Sequence, residues 1–200
     1  MTLNKFTGIK FDGEYNLNEI ETAYAISLEF DDEVKSYFLT GLETIIQENP
    51  EKALKINFWV DKGDNFPRLI HIHGKEINKE FWSKGCESFS NLSVIFTPVA
   101  EENICKEPLR SNLELLWKHA KRELPVELSG LVQQFFINNE YPTIEKLRDY
   151  LEREKVDPDI VYALIFNKAL IMDINNFQIK NESHVAINPN IAVLKLDRAS

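Results

Sequence analysis

The sequence predicts an α/β fold, a mixed sheet with flanking helices, followed by a smaller and mainly helical domain. Three observations carry that expectation. Leu54, Ile56, Phe58 and Val60 alternate with Lys55, Asn57, Trp59 and Asp61, a period of two that belongs to a strand. A Gly63-Asp64-Asn65 turn with Pro67 leads into a return strand over residues 69–73. Helical spacing of three and four residues precedes this pair at 17–30 and follows it at 77–89.

Taken in order, the polar, glycine-bearing residues 1–14 read as an extended arm or as a first strand at Gly8-Ile9-Lys10-Phe11. Leu17, Ile20, Ala23, Tyr24 and Leu28 then mark a helix to Phe30, with Asn16 or Asn18 as its cap. Asp31-Asp32-Glu33 ends it, and Val34 to Phe38 opens a strand. Residues 40–50 fit either a strand or a helical turn. After the hairpin, Ile77, Phe81, Trp82 and Phe89 form a helical stripe, and residues 92–96 read as a short buried strand stopped at Pro98.

Beyond Pro108 the pattern changes. Leu109, Leu113, Leu116, Trp117 and Ala120 define an amphipathic helix that ends in Lys118-His119-Ala120-Lys121-Arg122, and Pro125 breaks it. Three helices are expected at 126–137, 143–153 (opened by Pro142-Thr143) and 158–168 (opened by Asp157-Pro158). Residues 170–173 and 183–187 read as strands around Asn175-Asn176. Three helices followed by a two-stranded wing describe a winged helix. The expected division is 1–122, 123–188 and a tail, 189–200, with an unpartnered apolar patch from Ile191 to Leu196.

Composition narrows the function. With 44% apolar and 28% charged residues the chain is an ordinary globular one. Its net charge of −9 gives no global pull toward nucleic acid, so DNA contact has to be local or shared with a partner. Two cysteines, Cys86 and Cys105, make neither a disulfide framework nor a metal pattern and fit a reducing compartment. There is no signal-peptide build and no apolar run long enough for a membrane span, so a cytoplasmic location is expected.

Three stretches in order resemble the TnsA family, the endonuclease subunit of heteromeric bacterial transposases. They are Leu28-Glu29-Phe30-Asp31-Asp32-Glu33-Val34-Lys35-Ser36-Tyr37; Ile95-Phe96-Thr97-Pro98-Val99 with Glu101, Glu102 and Ile104; and Glu107-Pro108-Leu109-Arg110-Ser111-Asn112-Leu113-Glu114-Leu115-Leu116. The resemblance implies a restriction-endonuclease-like sheet of the PD-(D/E)XK kind with a C-terminal winged helix. It also implies cutting of transposon 5′ ends with Mg²⁺ or Mn²⁺, beside a partner transposase subunit and an AAA+ regulator. Carried over by residue, the helix Glu falls on Glu21, and the metal-binding Asp of the second strand falls on Asn57. The acid-x-Lys pair falls on His71-Ile72-His73, or on His73-Gly74-Lys75 if the register slips by two.

Asn keeps an oxygen but loses the charge that holds a hard divalent ion. The resemblance therefore implies a pseudonuclease, impaired in strand cleavage and acting in DNA binding or complex assembly, with Mg²⁺ or Mn²⁺ needed only if the site is active. His71 and His73 lie on one strand face and fit either a Zn²⁺- or Mn²⁺-type pair or two hydrogen-bonded strand histidines. Lys75 is either the relic of a catalytic lysine or a solvated strand-end charge. The basic run Lys118, Lys121 and Arg122, with Lys106 and Arg110 upstream, fits phosphate contacts or the cationic end of a helix. The last helix of the winged helix carries only Lys168 as a base, and residues 125–200 hold 8 Lys and Arg against 11 Asp and Glu, so this domain is expected to dock on protein rather than read DNA. The reading from another class is a non-enzymatic winged-helix regulator or interaction protein unrelated to transposition.

Overall fold

A computed structural model describes residues 3–11, 13–45, 53–74, 83, 86, 87, 89 and 92–190. The chain divides into Met1–Lys106 and Glu107–Ser200. The division falls upstream of the expected junction at 122, because the helix after Pro108 packs its buried face within the second unit.

In the first unit, β1 (Asn4–Thr7) and β2 (Glu14–Leu17) form an antiparallel pair. The strand expected at 8–11 is part of the link between them. Its amides have another acceptor: the buried Glu29 carboxylate takes Ile9 N at 2.8 Å and Lys10 N at 3.1 Å, with the Tyr37 hydroxyl at 2.7 Å. A side chain at Gly8 would meet Glu29 Oε1 at 2.2 Å, so the loop lies on this carboxylate only with glycine there. Helix α1 (Glu19–Phe30) starts at Asn18, whose side chain accepts Glu21 N at 2.9 Å while Glu21 Oε2 accepts Asn18 N at 3.2 Å, a reciprocal capping box.

Strands β3 (Ser36–Ile45), β4 (Ala53–Asp61), β5 (Arg68–His73) and β6 (Ile95–Ala100) make one sheet in that order. The first two pairings are antiparallel and β5–β6 is parallel. The ambiguous stretch from Thr40 is therefore strand as far as Ile45. Strand β6 runs through Pro98, where the sequence had predicted a stop, because β6 is an edge strand and the missing amide costs it no ladder bond there. Nor is it buried: Ile95 is exposed and its neighbours are partly so. A four-residue helix, α2 (Glu101–Ile104), follows.

Side-chain alternation fixes two faces. Phe58 packs on Tyr24 of α1 and near Tyr37, which places Phe58, Val60 and Ile70 on the helix side. Ile56, Leu69 and Phe89, with Trp59, Val94 and Phe96, cluster on the other. Most of the expected 77–89 helix lies outside the described residues. Ile56 and Trp59 share a cluster although they are three apart, so the period of two slips between Asn57 and Phe58. The slip sits where β3 carries a bulge, its register shifting between Leu39 and Leu42 opposite this point.

In the second unit, α3 (Leu109–Trp117), α4 (Leu128–Asn138), α5 (Ile144–Arg153) and α6 (Ile160–Phe166) precede an antiparallel pair, β7 (Leu170–Ile171) and β8 (Ala186–Ile187). Helix α3 ends at Trp117, before the basic run, which follows on consecutive turns. Thr143 caps α5 through Lys146 N at 3.3 Å and also bridges to His184, extending the small sheet. Both strands are shorter than expected because Asp173 folds its segment into a turn, its Oδ1 accepting the amides of Asn175 and Asn176. Buried Asn112 ties that turn to α3. Its amide donates to the carbonyls of Ile174 and Phe177, and its oxygen accepts Ile179 N, all at 2.8 Å. All seven residues of α6 are buried. The tail patch from Ile191 lies outside the described residues.

Candidate functional site

The N-terminus of α1 meets the end of the β4–β5 ladder, and the site is built there. Strands β4 and β5 pair at Val60↔Arg68, Trp59↔Leu69 and Phe58↔Ile70, and the ladder goes no further. Beyond it, side chains replace backbone pairing. Asn57 Oδ1 accepts Ile72 N at 2.9 Å, and His71 Nδ1 lies 2.7 Å from Lys55 O. A carbonyl only accepts, so Nδ1 carries the proton and donates. Because of the slip, Lys55 and Asn57 project to the same side as Phe58, toward α1.

Glu21 is the centre of the group. It is 5% exposed, and its Oε1 accepts from Lys55 Nζ at 2.9 Å and Asn57 Nδ2 at 3.0 Å, while Oε2 closes the capping box. Burial pushes this carboxyl up, but the Lys55 ammonium, the Asn18 amide and the Asn57 amide together hold it below the ordinary carboxylate range. The Lys55 stem is half exposed, so the pair sits at the surface end of a buried carboxylate.

Of the residues singled out from sequence, the structure brings Glu21 and Asn57 together and leaves His71 and His73 apart from them. The His71 ring stacks on Phe96 at 6.2 Å, within the cluster on the far side of the sheet, and on His73 at 6.1 Å. His73 Nδ1 turns to Gly74 O at 2.6 Å. Burial pushes the His71 imidazole below its usual range, partly countered by its bond to Lys55 O, and His73 adds to the lowering. Both Nδ1 atoms are thus taken up by backbone carbonyls, Lys55 O for His71 and Gly74 O for His73, and are not offered to an ion. Lys75 lies outside the described residues.

A hard divalent ion requires several free oxygen donors in fixed geometry. The groups present do not fit one. Three donors already sit on the Glu21 carboxylate, the Asn57 oxygen is held by Ile72 N, and Asn57 offers Glu21 hydrogens rather than a lone pair. Among the described residues no three His, Cys, Asp or Glu side chains come together. A carboxylate held this low and this fully bonded is also a weak proton acceptor.

Lys55 was missed in the sequence, although the signal was present: it lies two residues before Asn57, so any alternation that delivers Asn57 delivers Lys55 as well. Of the two caps the sequence offered, Asn16 and Asn18, the structure uses Asn18, which stands three residues before Glu21 as a capping box requires.

The basic candidates are partly committed. Arg110 Nε pairs with Glu114 at 2.9 Å, and Arg122 binds Asp157 with Asp159 at 3.7 Å. Lys121 lies over the Trp117 ring at 5.3 Å, and Lys118 and Lys106 are exposed. The passage around Leu28 to Tyr37 also has a structural account: Leu28 and Val34 are buried, Glu29 bonds Tyr37, and Asp31 pairs with Lys62 at 2.9 Å. No helix among the described residues is long and apolar enough to cross a membrane. No protein-family model matches the chain, and no curated protein is significantly similar to it.

Proposed function

We propose that this chain is a TnsA-like subunit of a DNA transposition complex that keeps a restriction-endonuclease-like scaffold but is impaired in metal-dependent cutting, and acts through DNA binding or complex assembly. The transposition part rests on the order of the three motif stretches. The observation that carries the loss of cutting is the Glu21 carboxylate bonded to Lys55, Asn57 and Asn18, with an amide where a second acid is required. Metal-dependent phosphodiester cleavage needs a bound ion to polarise the phosphate and lower the pKa of the attacking water, and these groups supply no place for it.

The second unit supports assembly over DNA reading. Three helices followed by an antiparallel pair fit a winged helix, and in such a domain the last helix is the one that enters the major groove. Here that helix, α6, is buried at every position and has no polar face to offer bases. A transposase subunit and an AAA+ regulator are the expected partners, and DNA is reached through the complex.

The test is a plasmid-nicking assay with Mg²⁺ and with Mn²⁺, using the full chain alone and co-expressed with adjacent transposase and AAA+ proteins. The expected result is co-purification with those partners and no nicking attributable to this chain. Nicking that disappears in Glu21→Ala would overturn the reading. Tight DNA binding by the chain alone, with no partner retained, would favour the winged-helix regulator instead.

A further inference from the structure

Lys55 belongs to no element of the expected chemistry, yet its ammonium is one of the two closest groups to the one buried acid of the site. It reaches Glu21 Oε1 at 2.9 Å from a strand position two residues before Asn57, on the side that the slip in β4 turns toward α1. It approaches that carboxylate from the solvent end, since its side chain is 51% exposed while that of Glu21 is 7% exposed. Its own carbonyl is held by His71, which fixes the strand segment from which the stem projects. Asn57 presents its amide to the same oxygen. The site therefore contains one anion, one cation bound directly to it, and an amide oriented to donate.

We propose that the Lys55 ammonium is the resident cation of this site, standing where a nuclease core would hold its divalent metal and excluding such an ion from Glu21 by competition. This rests on the nuclease-scaffold reading of the first unit. In physical terms a carboxylate at the rim of an apolar sheet face requires a counter-charge, and a tethered ammonium supplies one at a fixed distance without the entropy loss of capturing an ion. A divalent ion at the same oxygen would face a positive charge about 4 Å away or less, in a setting far less screening than bulk water. The two replacements act together: Asn57 removes an acid that would demand a second positive charge, and Lys55 neutralises the acid that is left.

The test is calorimetric titration of MnCl2 into the full chain as wild type, Asn57→Asp, Asn57→Asp/Lys55→Ala, and that double variant with Glu21→Gln added, each first shown folded by circular dichroism. Wild type is expected to give no saturable heat. The double variant is expected to bind one Mn²⁺ at least about thirtyfold more tightly than Asn57→Asp, the effect of removing a single positive charge about 4 Å from a divalent ion even with the screening of bulk water, and to lose binding with Glu21→Gln. Equal affinity with and without Lys55, or no binding by the folded double variant, would overturn the proposal. Lys55→Ala alone, a change at a half-exposed position, gives a second reading that needs no acid at 57. Paramagnetic broadening of the Glu21 and Ile72 amide signals should set in at lower Mn²⁺ than in wild type, and an unchanged onset would equally overturn it. Failure to retain transposase partners would remove the proposed function without altering this order of Mn²⁺ affinities, so the two readings fail separately.

Discussion

Replacing Asn57 by Asp is the change that tests the site most directly, because it is nearly isosteric and alters only charge and one donor. In the wild type Asn57 Nδ2 donates to Glu21 Oε1 at 3.0 Å. In the variant a carboxylate oxygen takes that place, and two negative charges with centres about 4 Å apart repel by about 4 kcal/mol at an effective dielectric constant of 20. Loss of a hydrogen bond to a charged acceptor adds about 1.5–3 kcal/mol. Lys55 attracts the new charge and offsets part of this, though its half-exposed position weakens the effect. The cost is also capped: one carboxyl can take up a proton, which from an ordinary carboxyl pKa costs about 4 kcal/mol at pH 7 and restores an O–H···O bond. The net expectation is a loss of about 2–4 kcal/mol at pH 7. The sign with pH follows from a folded-state pKa raised above its unfolded value. The penalty is present at neutral pH and shrinks as pH falls through the raised pKa, by at most about 1.4 kcal/mol per pH unit. Urea unfolding of wild type and variant, compared from pH 4.5 to 8, measures it. A variant as stable as wild type at pH 7, or a difference that does not change with pH, would refute the carboxylate pairing on which the site reading stands.

The His71 imidazole is held below its ordinary value of 6.5, so the neutral ring contributes stability that is complete above that pH and lost as pH falls through the lowered folded-state value; urea titrations should show wild type losing stability below pH 6.5 more steeply than His71→Gln. Glu29→Ala removes the acceptor of two backbone amides and the Tyr37 hydroxyl, and should cost about 2–5 kcal/mol in the same assay. Asn112→Ala strands the amide of Ile179 and two carbonyls, and should cost about 2–4 kcal/mol, read as lost hydrogen-exchange protection at 174–179. If the basic run meets DNA within a complex, Lys118→Ala should reduce the slope of log affinity against log salt by about one. Arg122→Ala should change the slope little, because that guanidinium already faces Asp157 and Asp159.

Periodicity carried the fold where burial is one-sided. Helix α1 and strand β4 were read from spacing alone, and the helices of the second unit were placed to within two residues except at α3, which stops at Trp117 instead of running on through the basic residues to Arg122. Capping chemistry was equally legible at Asn18, one of two candidates there, and at Thr143, since it depends on residues three positions apart. The misreadings share one cause: tertiary partners outbid local pattern. The 8–11 segment alternates as a strand does, yet its amides belong to Glu29, twenty residues away. Pro98 reads as a stop, but an edge strand tolerates it. At the site, strict alternation put Asn57 and Trp59 on one face, and only the contacts of Asn57 with Glu21 and of Phe58 with Tyr24, both on α1, reveal that the phase changes between Asn57 and Phe58. The same change separates Asn57 from His71, which alignment to a motif had grouped together.

Glu21 serves as both capping residue and sheet tie, and this has a dynamic consequence. Most helices fray at their first turn independently of what lies beside them. Here the first turn of α1 cannot open without releasing Lys55 and Asn57, and Asn57 in turn holds the amide of Ile72 where the ladder has ended. The weakest end of the helix and the splayed end of the sheet are thus one opening unit. Amide exchange at Asn18, Glu21 and Ile72 should follow a common rate, and a partner that grips either end would stiffen both.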